Sequence, residues 1–233
     1  AMFTHVPESD AFRAGVKDPM QISFEIIDTD LWSWVIPFSN EVTSLGFVGH
    51  ERHFAQLNGN VDSAAAFTAM LARQRGFGDR FAQPSYLFPP HVIREYAHYN
   101  ASLHGPNYVL TGNCAGFLDP VFSSGVAFAT ESGLRAAKLL QQQLQGRAVD
   151  WESEYADHIK QGAAVFRSYI EAWYSGDLHT IFFAPRLQQD IKEKIVSVLA
   201  GYVWDPNNSF VTQHDRALRA LAQVIKLEAR SPA

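Results

Sequence analysis

The sequence predicts an α+β fold in three consecutive parts: an antiparallel sheet with one helix, a strand-loop-helix, and a C-terminal helical region. Three observations carry that expectation. Between Gln21 and Val48, apolar runs are joined by connections of hairpin length. From Asn107, a short apolar run gives way to a Gly/Ser-rich loop and then to a helix of small residues. From Asp150 onward, apolar residues recur at helical spacing. The expected parts are 1–106, 107–146 and 147–233.

Gln21–Asp28 alternates Ile22, Phe24 and Ile26 with polar neighbours, as a half-buried strand does. Leu31–Phe38 alternates Trp32, Trp34, Ile36 and Phe38, and Val42–Val48 is a third apolar run. Thr29-Asp30 and Ser39-Asn40-Glu41 are the turns between them. Ser63–Arg75 reads as a helix with Asp62 as its N-cap, because a short carboxylate there accepts from the free first-turn amides. Pro84–Pro90 reads as a loop, and His91–Tyr99 as a return to extended chain.

Tyr108–Leu110, ended by Gly112, reads as a buried strand. Gly116, Asp119-Pro120 and Ser123-Ser124-Gly125 are loop and helix-start residues. Val126–Leu140 carries an apolar stripe at Val126, Ala129, Gly133, Ala137 and Leu140. The N-terminus of that helix offers free N–H groups and partial positive charge, which suits a phosphate, a halide or the electron-rich edge of a flavin. The same residues also make a plain strand-loop-helix with no ligand. Further on, Trp151, Tyr155, His158/Ile159, Gly162, Phe166, Tyr169/Ile170 and Trp173 form one stripe, read as a core face. Pro185 opens a helix through Ala200 that ends at Gly201, and Asp215–Glu228 is a last amphipathic helix.

Composition bounds the function. At 47% hydrophobic and 18% charged, 233 residues form a substantial core. A formal charge of −5 argues against nucleic acid as a partner. The nine histidines show no close metal-ligand spacing, so no metal is expected, and His50/His53 and His98/His104 read as surface or loop residues. The one cysteine, Cys114, excludes an intrachain disulfide framework and fits a reducing compartment. With no apolar run of membrane-spanning length and no signal peptide, the expected location is the cytoplasm.

Thr-Gly-Asn-Cys-Ala-Gly-Phe-Leu-Asp-Pro at 111–120 resembles the second flavin-contacting motif of FAD-dependent monooxygenases and halogenases. Phe117, Pro120, Ser123 and Gly125 fit the spaced Phe/Pro/Ser/Gly pattern of flavin-dependent halogenases, and Trp32-Ser-Trp34-Val-Ile36-Pro37 resembles their Trp-x-Trp-x-Ile-Pro signature. The resemblance runs from about Phe3 to the C-terminus. It implies FAD as cofactor. Gly112 and Asn113 would approach the ribityl-phosphate region, and Pro120 the isoalloxazine. Ser123 fits the loop before the helix, and the Ser124, Gly125 and Val126 amides would face the flavin pyrimidine edge. Ser124 and Gly125 would also form a halide nest. Trp32, Trp34, Pro37, Phe117 and Phe122 would shape the wall between flavin and substrate.

The family opens with a Gly-x-Gly-x-x-Gly fingerprint and carries a catalytic lysine in its N-terminal half; this sequence has neither. The chain therefore resembles the C-terminal half of such an enzyme, inactive alone. Ala1-Met2 reads as a scar ahead of an initiator Met, and the expectation is a frame opened at an internal Met. Two further departures concern the site. Asn113 stands where the family has Asp, a neutral amide in place of an acceptor-only carboxylate. Phe122 stands where tryptophan-type halogenases carry Glu, which points to the phenol/pyrrole-type branch. Cys114 stands where relatives tend to have Ala, so the resemblance implies a small buried filler there. The implied partners are the missing N-terminal half, a flavin reductase and an acyl carrier protein. The substrate is an aromatic or carrier-tethered compound. Two alternatives stand: a monooxygenase or dehydrogenase on the same scaffold, and a flavin-free binding or assembly module.

Overall fold

The computed structural model describes residues 1–8, 18, 20–57, 62–77 and 79–229. The chain divides into two compact units, Ala1–Arg94 and Glu95–Ala233. The mixture of antiparallel sheet and helices is the α+β class that the sequence predicts.

The first unit is built on strands β1 (Met2–Pro7), β2 (Ser23–Asp28), β3 (Leu31–Pro37), β4 (Val42–Gly49) and β5 (His91–Val92). They lie in the order β2-β3-β4-β1-β5, every pair antiparallel. The two expected hairpins form at Thr29-Asp30 and Ser39–Glu41. Strand β1 was not legible as such. Its partners begin about forty residues away, at Met2↔Phe47 and Val6↔Thr43, so no local turn announces it.

One face of the sheet is the core. Met2, Val6, Leu31, Val35, Leu45 and Phe47 pack with Phe54, Phe81 and the helix α1 (Ser63–Leu71), through Phe67, Met70 and Leu71. Asp62 caps α1 as expected, accepting from the Ala64 amide at 2.9 Å. The helix ends at Leu71, short of the expected Arg75. There the chain turns so that Gln74 Nε2 donates to Ser33 Oγ (2.7 Å) and the Arg75 amide to Glu25 (2.7 Å). Beyond β1, the buried Glu8 carboxylate receives Arg80 Nε and one terminal guanidinium nitrogen, both at 2.8 Å, and the Thr43 hydroxyl.

The other face is aromatic. Phe24 pairs with Trp34 and Ile26 with Trp32, which places all four on this side. The rings of Trp32 and Trp34 lie 6.0 Å apart, and Phe3 lies 6.4 Å from Trp34. The alternating apolar residues of β2 lie on this side rather than on the core face. Ile22 and Phe24 are 64% and 59% exposed. Ile27 packs against the core instead, next to a register shift between Ile26 and Asp28.

The second unit opens with two short pairs. These are β6 (His98–Tyr99) on β9 (Gly116–Phe117), and β7 (His104–Gly105) on β8 (Tyr108–Val109). The buried strand expected at Tyr108–Leu110 is therefore a correction. Its ordered part is one arm of a two-residue hairpin, and Tyr108 is exposed.

Helices follow: α2 (Gly125–Leu144), a π turn at Glu152–Ala156, α3 (Asp157–Tyr174), α4 (Asp177–Phe182), α5 (Gln189–Leu199), α6 (Ser209–Thr212) and α7 (His214–Glu228). Helix α3 buries Ile159, Gly162, Phe166, Tyr169 and Trp173 as its stripe predicts. Pro185 lies four residues ahead of α5 rather than at its first turn, and Gly201, at φ +100°, ends that helix as expected.

Helix α2 is rotated from the expected orientation. It buries Ser132, Ala136 and Leu139, whereas Val126 and Leu140 of the predicted stripe are 77% and 47% exposed. Polar anchors fix this rotation. The Gly112 amide donates to Ser132 Oγ (2.9 Å), and Arg135 Nε donates to the Glu154 carbonyl (2.6 Å).

Candidate functional site

The loop from Thr111 to Ser124 is held by its own sequence. Gly112 adopts φ +55°, a backbone state that costs little only without a Cβ, and opens a 3-10 turn through Cys114. Asn100 Nδ2 donates to the Cys114 carbonyl (2.5 Å), and a His98 ring nitrogen lies 2.9 Å from the Asn113 carbonyl. Cys114 itself is exposed, which corrects the expectation of a buried filler: the turn lies at the surface and its carbonyls, not its side chains, are tied down.

Asp119 accepts from the Val121 amide (3.0 Å) and so caps a second 3-10 turn, Pro120–Phe122. The hydroxyls of Tyr174 (2.8 Å) and Tyr96 (3.4 Å) donate to its other oxygen. Burial raises the Asp119 pKa, and these hydrogen bonds only partly offset it. Burial, and the neighbouring Asp119 charge, raise Tyr96 well above an ordinary phenol. Ser123 then takes the left-handed conformation (φ +52°) and delivers the chain to α2.

No side chain caps the first-turn amides of α2. They open beside a cavity of about 280 Å³ lying wholly within the second unit. Its walls are mainly apolar, with Leu103, Phe117, Leu118, Phe128 and Ile159 among them. Gly112, Ser124, Ser132, Lys160 and Arg167 reach its edge. Ser124 is 4% exposed, and its hydroxyl has no hydrogen-bond partner among the described residues.

Of the residues expected at the site, Gly112, Phe117, Ser124 and Gly125 gather around this cavity. Asn113, Pro120, Ser123 and Val126 lie on the same loop and helix start but do not line it. Phe122 packs edge-on against Trp173 (6.0 Å) and Tyr169 (6.5 Å). Trp32, Trp34 and Pro37 belong to the aromatic sheet of the first unit. Sequence reasoning missed Tyr99, Lys160 and Arg167. They stand on a two-residue strand and on the polar side of a helix, where no motif marks them.

One group in the first unit has ligand-type side chains together: Asp28, Asp30 and His53 place one atom each within 4.8 Å of one another. The Asp30 carboxylate is already paired with His53 (2.7 Å) and Arg52 (2.8 Å). Among the described residues, no helix is long and apolar enough to cross a membrane.

The uncapped helix start, the left-handed glycine and the unpartnered Ser124 hydroxyl fit the polar edge of a flavin: donors are present, and Gly112 takes a turn that a side chain would strain. Comparison with known proteins shows the family. The family model described as tryptophan halogenase matches residues 19–220. The brominase of Pseudoalteromonas luteoviolacea named for 1H-pyrrole-2-carbonyl-[peptidyl-carrier protein] is 27% identical over 178 residues, which is 75% of this chain and 42% of that protein. A solved flavoprotein/dehydrogenase from Cytophaga hutchinsonii superposes with a TM-score of 0.90 at 41% identity, over 98% of this chain and 55% of that one. The flavin-dependent brominase Bmp2 shares the fold, with a TM-score of 0.71 at 21% identity, over 97% of this chain and 55% of that one. This chain thus spans about half the length of these relatives. Within that span, the chain belongs to the tryptophan halogenase family of flavin-dependent halogenase-like proteins.

Proposed function

We propose that this chain is the C-terminal portion of an FAD-dependent halogenase-like oxidoreductase acting on an aromatic or carrier-tethered substrate. The observation that carries this reading is the uncapped start of α2, opening with Gly112 and Ser124 onto one cavity. When bound, FAD would supply the redox and oxygen chemistry. Gly112 and Asn113 would hold its ribityl-phosphate region and Pro120 its ring. Ser123 sets the chain direction so that the Ser124, Gly125 and Val126 amides meet accumulating negative charge. Ser124 and Gly125 would also take a halide. On the second unit Phe117 and Phe122 would be wall residues toward the substrate, and on the first unit Trp32, Trp34 and Pro37 would be. In this reading the divisions at 106 and 146 are functional ones, separating the substrate sheet, the flavin loop and the helical cap.

The catalytic lysine and the Gly-x-Gly-x-x-Gly fingerprint are not in this sequence, so the chain alone is expected to be inactive. The partner it needs is an N-terminal flavin-binding half. The open stripe of α2, with Val126 77% and Leu144 80% exposed, supports a further polypeptide covering that helix. A flavin reductase and an acyl carrier protein would serve the assembled enzyme. The carrier is favoured by the carrier-linked substrate in the Pseudoalteromonas relative's name.

The test is complementation. This chain is co-expressed with the portion of the Cytophaga flavoprotein that it does not cover, and the purified complex is examined for flavin absorbance. Co-purifying flavin is expected; a stable complex without flavin would favour the binding or assembly module. A second reading, dehydrogenation or hydroxylation without halogenation, is favoured by the description of the Cytophaga protein as a dehydrogenase. Halide dependence of product formation separates the two.

A further inference from the structure

A second cavity, of about 550 Å³, lies wholly within the second unit, between α2 and the turn that follows α5. It shares no lining residue with the cavity at the start of α2. Gly201, at φ +100°, turns the chain out of α5 and brings it against α2, where an added Cβ would stand 3.5 Å from Ala127. Two of the lining side chains are carboxylates, Glu131 and Asp205; two are aromatic, Tyr202 and Trp204; none is basic.

The Trp204 indole stacks on the His158 imidazole (4.8 Å, 7°) and donates from Nε1 to the His158 carbonyl (2.7 Å). It lies so close to Gly162 that a methyl group there would fall inside the ring, so the wall it offers is rigid. Tyr202 is 67% exposed and makes no ring contact among the described residues, which leaves an aromatic face beside the cavity. Each carboxylate has committed one oxygen. Glu131 Oε1 lies 2.9 Å from His158 Nε2, and Asp205 Oδ1 accepts from the Asn207 amide at 2.9 Å. Their second oxygens have no hydrogen-bond partner among the described residues. Burial lowers the His158 pKa more than its bond to Glu131 raises it, so no imidazolium cancels the Glu131 charge at neutral pH. Arg135, one turn further along α2, is turned to the Glu154 carbonyl (2.6 Å) and does not line the cavity.

The arrangement selects among cations. A hard divalent metal takes about six to eight oxygen ligands, and Glu131 and Asp205 have no third ligand-type side chain grouped with them among the described residues. Aromatic faces beside carboxylates suit a weakly hydrated organic cation instead, whose charge meets the ring quadrupoles and whose methyl groups meet the ring surface.

We propose that this cavity binds a small organic cation with a methylated ammonium head, held between the Tyr202 and Trp204 rings and facing the Glu131 and Asp205 carboxylates. The site does not depend on the flavin reading. With no basic side chain in its lining, it gives a phosphate joined to that head only repulsion.

The test titrates this chain, without flavin, by ligand-observed NMR. The probes are choline, the neutral alcohol in which carbon replaces the ammonium nitrogen, and phosphocholine. Choline should bind roughly 10-fold or more tightly than its neutral isostere. Phosphocholine weaker than choline assigns a free cation; phosphocholine equal to it assigns a lipid headgroup to the same site. Glu131→Gln with Asp205→Asn keeps the acceptors for His158 and Asn207 and should abolish the preference for choline over the alcohol. Tyr202→Leu keeps the apolar area without the ring and should weaken choline by about two- to five-fold, leaving the alcohol nearly unchanged. Circular dichroism checks that the variants are folded. Equal binding of choline and the alcohol, no binding of choline, or a double variant that keeps the full preference would each overturn the proposal.

Discussion

Trp34 lies across the backbone of Gly46 on the neighbouring strand, so close that a methyl group on Gly46 would fall inside the indole. The indole Nε1 then donates to Ser44 Oγ at 3.1 Å, which fixes the ring over the gap. A Gly46→Ala substitution must move the ring or the strand, at a cost of about 1–3 kcal/mol. Gly133→Ala is the matched control. Gly133 has nothing within 4 Å of an added Cβ and sits within α2, so alanine there should stabilise by about 0.5–1 kcal/mol. Urea unfolding followed by tryptophan fluorescence reads both. An unchanged midpoint for Gly46→Ala would mean that the indole does not hold this position.

The pair between Glu8 and Arg80 is the most buried ion pair among the described residues, with side chains 2% and 12% exposed. Removing one partner leaves the other charge in a site with little water. Arg80→Ala should therefore destabilise the first unit by about 3–5 kcal/mol. Removing both charges, as Glu8→Gln with Arg80→Met, should recover a large part of that loss, because the desolvation cost goes with them. If the double variant melts no higher than Arg80→Ala, packing rather than charge explains the effect.

The contrast between these elements explains what the sequence made legible. Strands β2, β3 and β4 could be read because their turns are local and their apolar runs unbroken. The faces could not be read so simply. Trp32 and Trp34 alternate correctly, yet they share a face with the exposed Phe24, while Leu31 and Val35 form the core. Alternation gives a period but not which side is covered. Helix α2 makes the same point. Its apolar residues lie on more than one side, and Ser132 and Arg135, through hydrogen bonds to distant backbone, choose the buried one. At the site, the loop motif found Gly112, Phe117, Ser124 and Gly125 together. Arg167 was invisible, since its neighbour Tyr99 is far away in sequence and an exposed arginine on a helix carries no pattern.

Asp119 gives a pH signature. Its folded pKa lies above the ordinary carboxylate value because burial outweighs its hydrogen bonds from Val121, Tyr174 and Tyr96. Between the unfolded value, about 4, and the folded one, the native state holds more protons than the unfolded chain. Stability therefore falls as pH rises through that window, and the whole cost is present above it. Asp119→Asn stays neutral and lacks this fall, so the wild type should lose ground relative to the variant from pH 4 upward. Unfolding midpoints of both proteins across that range test it; parallel curves would show that Asp119 does not titrate in this way.

Gly125 permits a substitution that separates folding from ligand binding. An added Cβ meets only Phe117, at 3.8 Å, so a side chain fits without displacing the backbone. A carboxylate in the first turn of α2 meets uncapped amides and a favourable helix dipole, worth about 0.3–1 kcal/mol. Gly125→Glu should therefore leave the melting temperature of this chain unchanged or slightly raised. In the complex with an N-terminal flavin-binding half, the same carboxylate occupies the ground proposed for the flavin edge and the halide. Like-charge repulsion there should weaken binding by about a hundredfold or more. Gly125→Ala, which adds bulk without charge, should lose far less. Flavin content and halide dependence that survive Gly125→Glu would remove the start of α2 from the site and leave the loop at Gly112 as its only anchor in this chain.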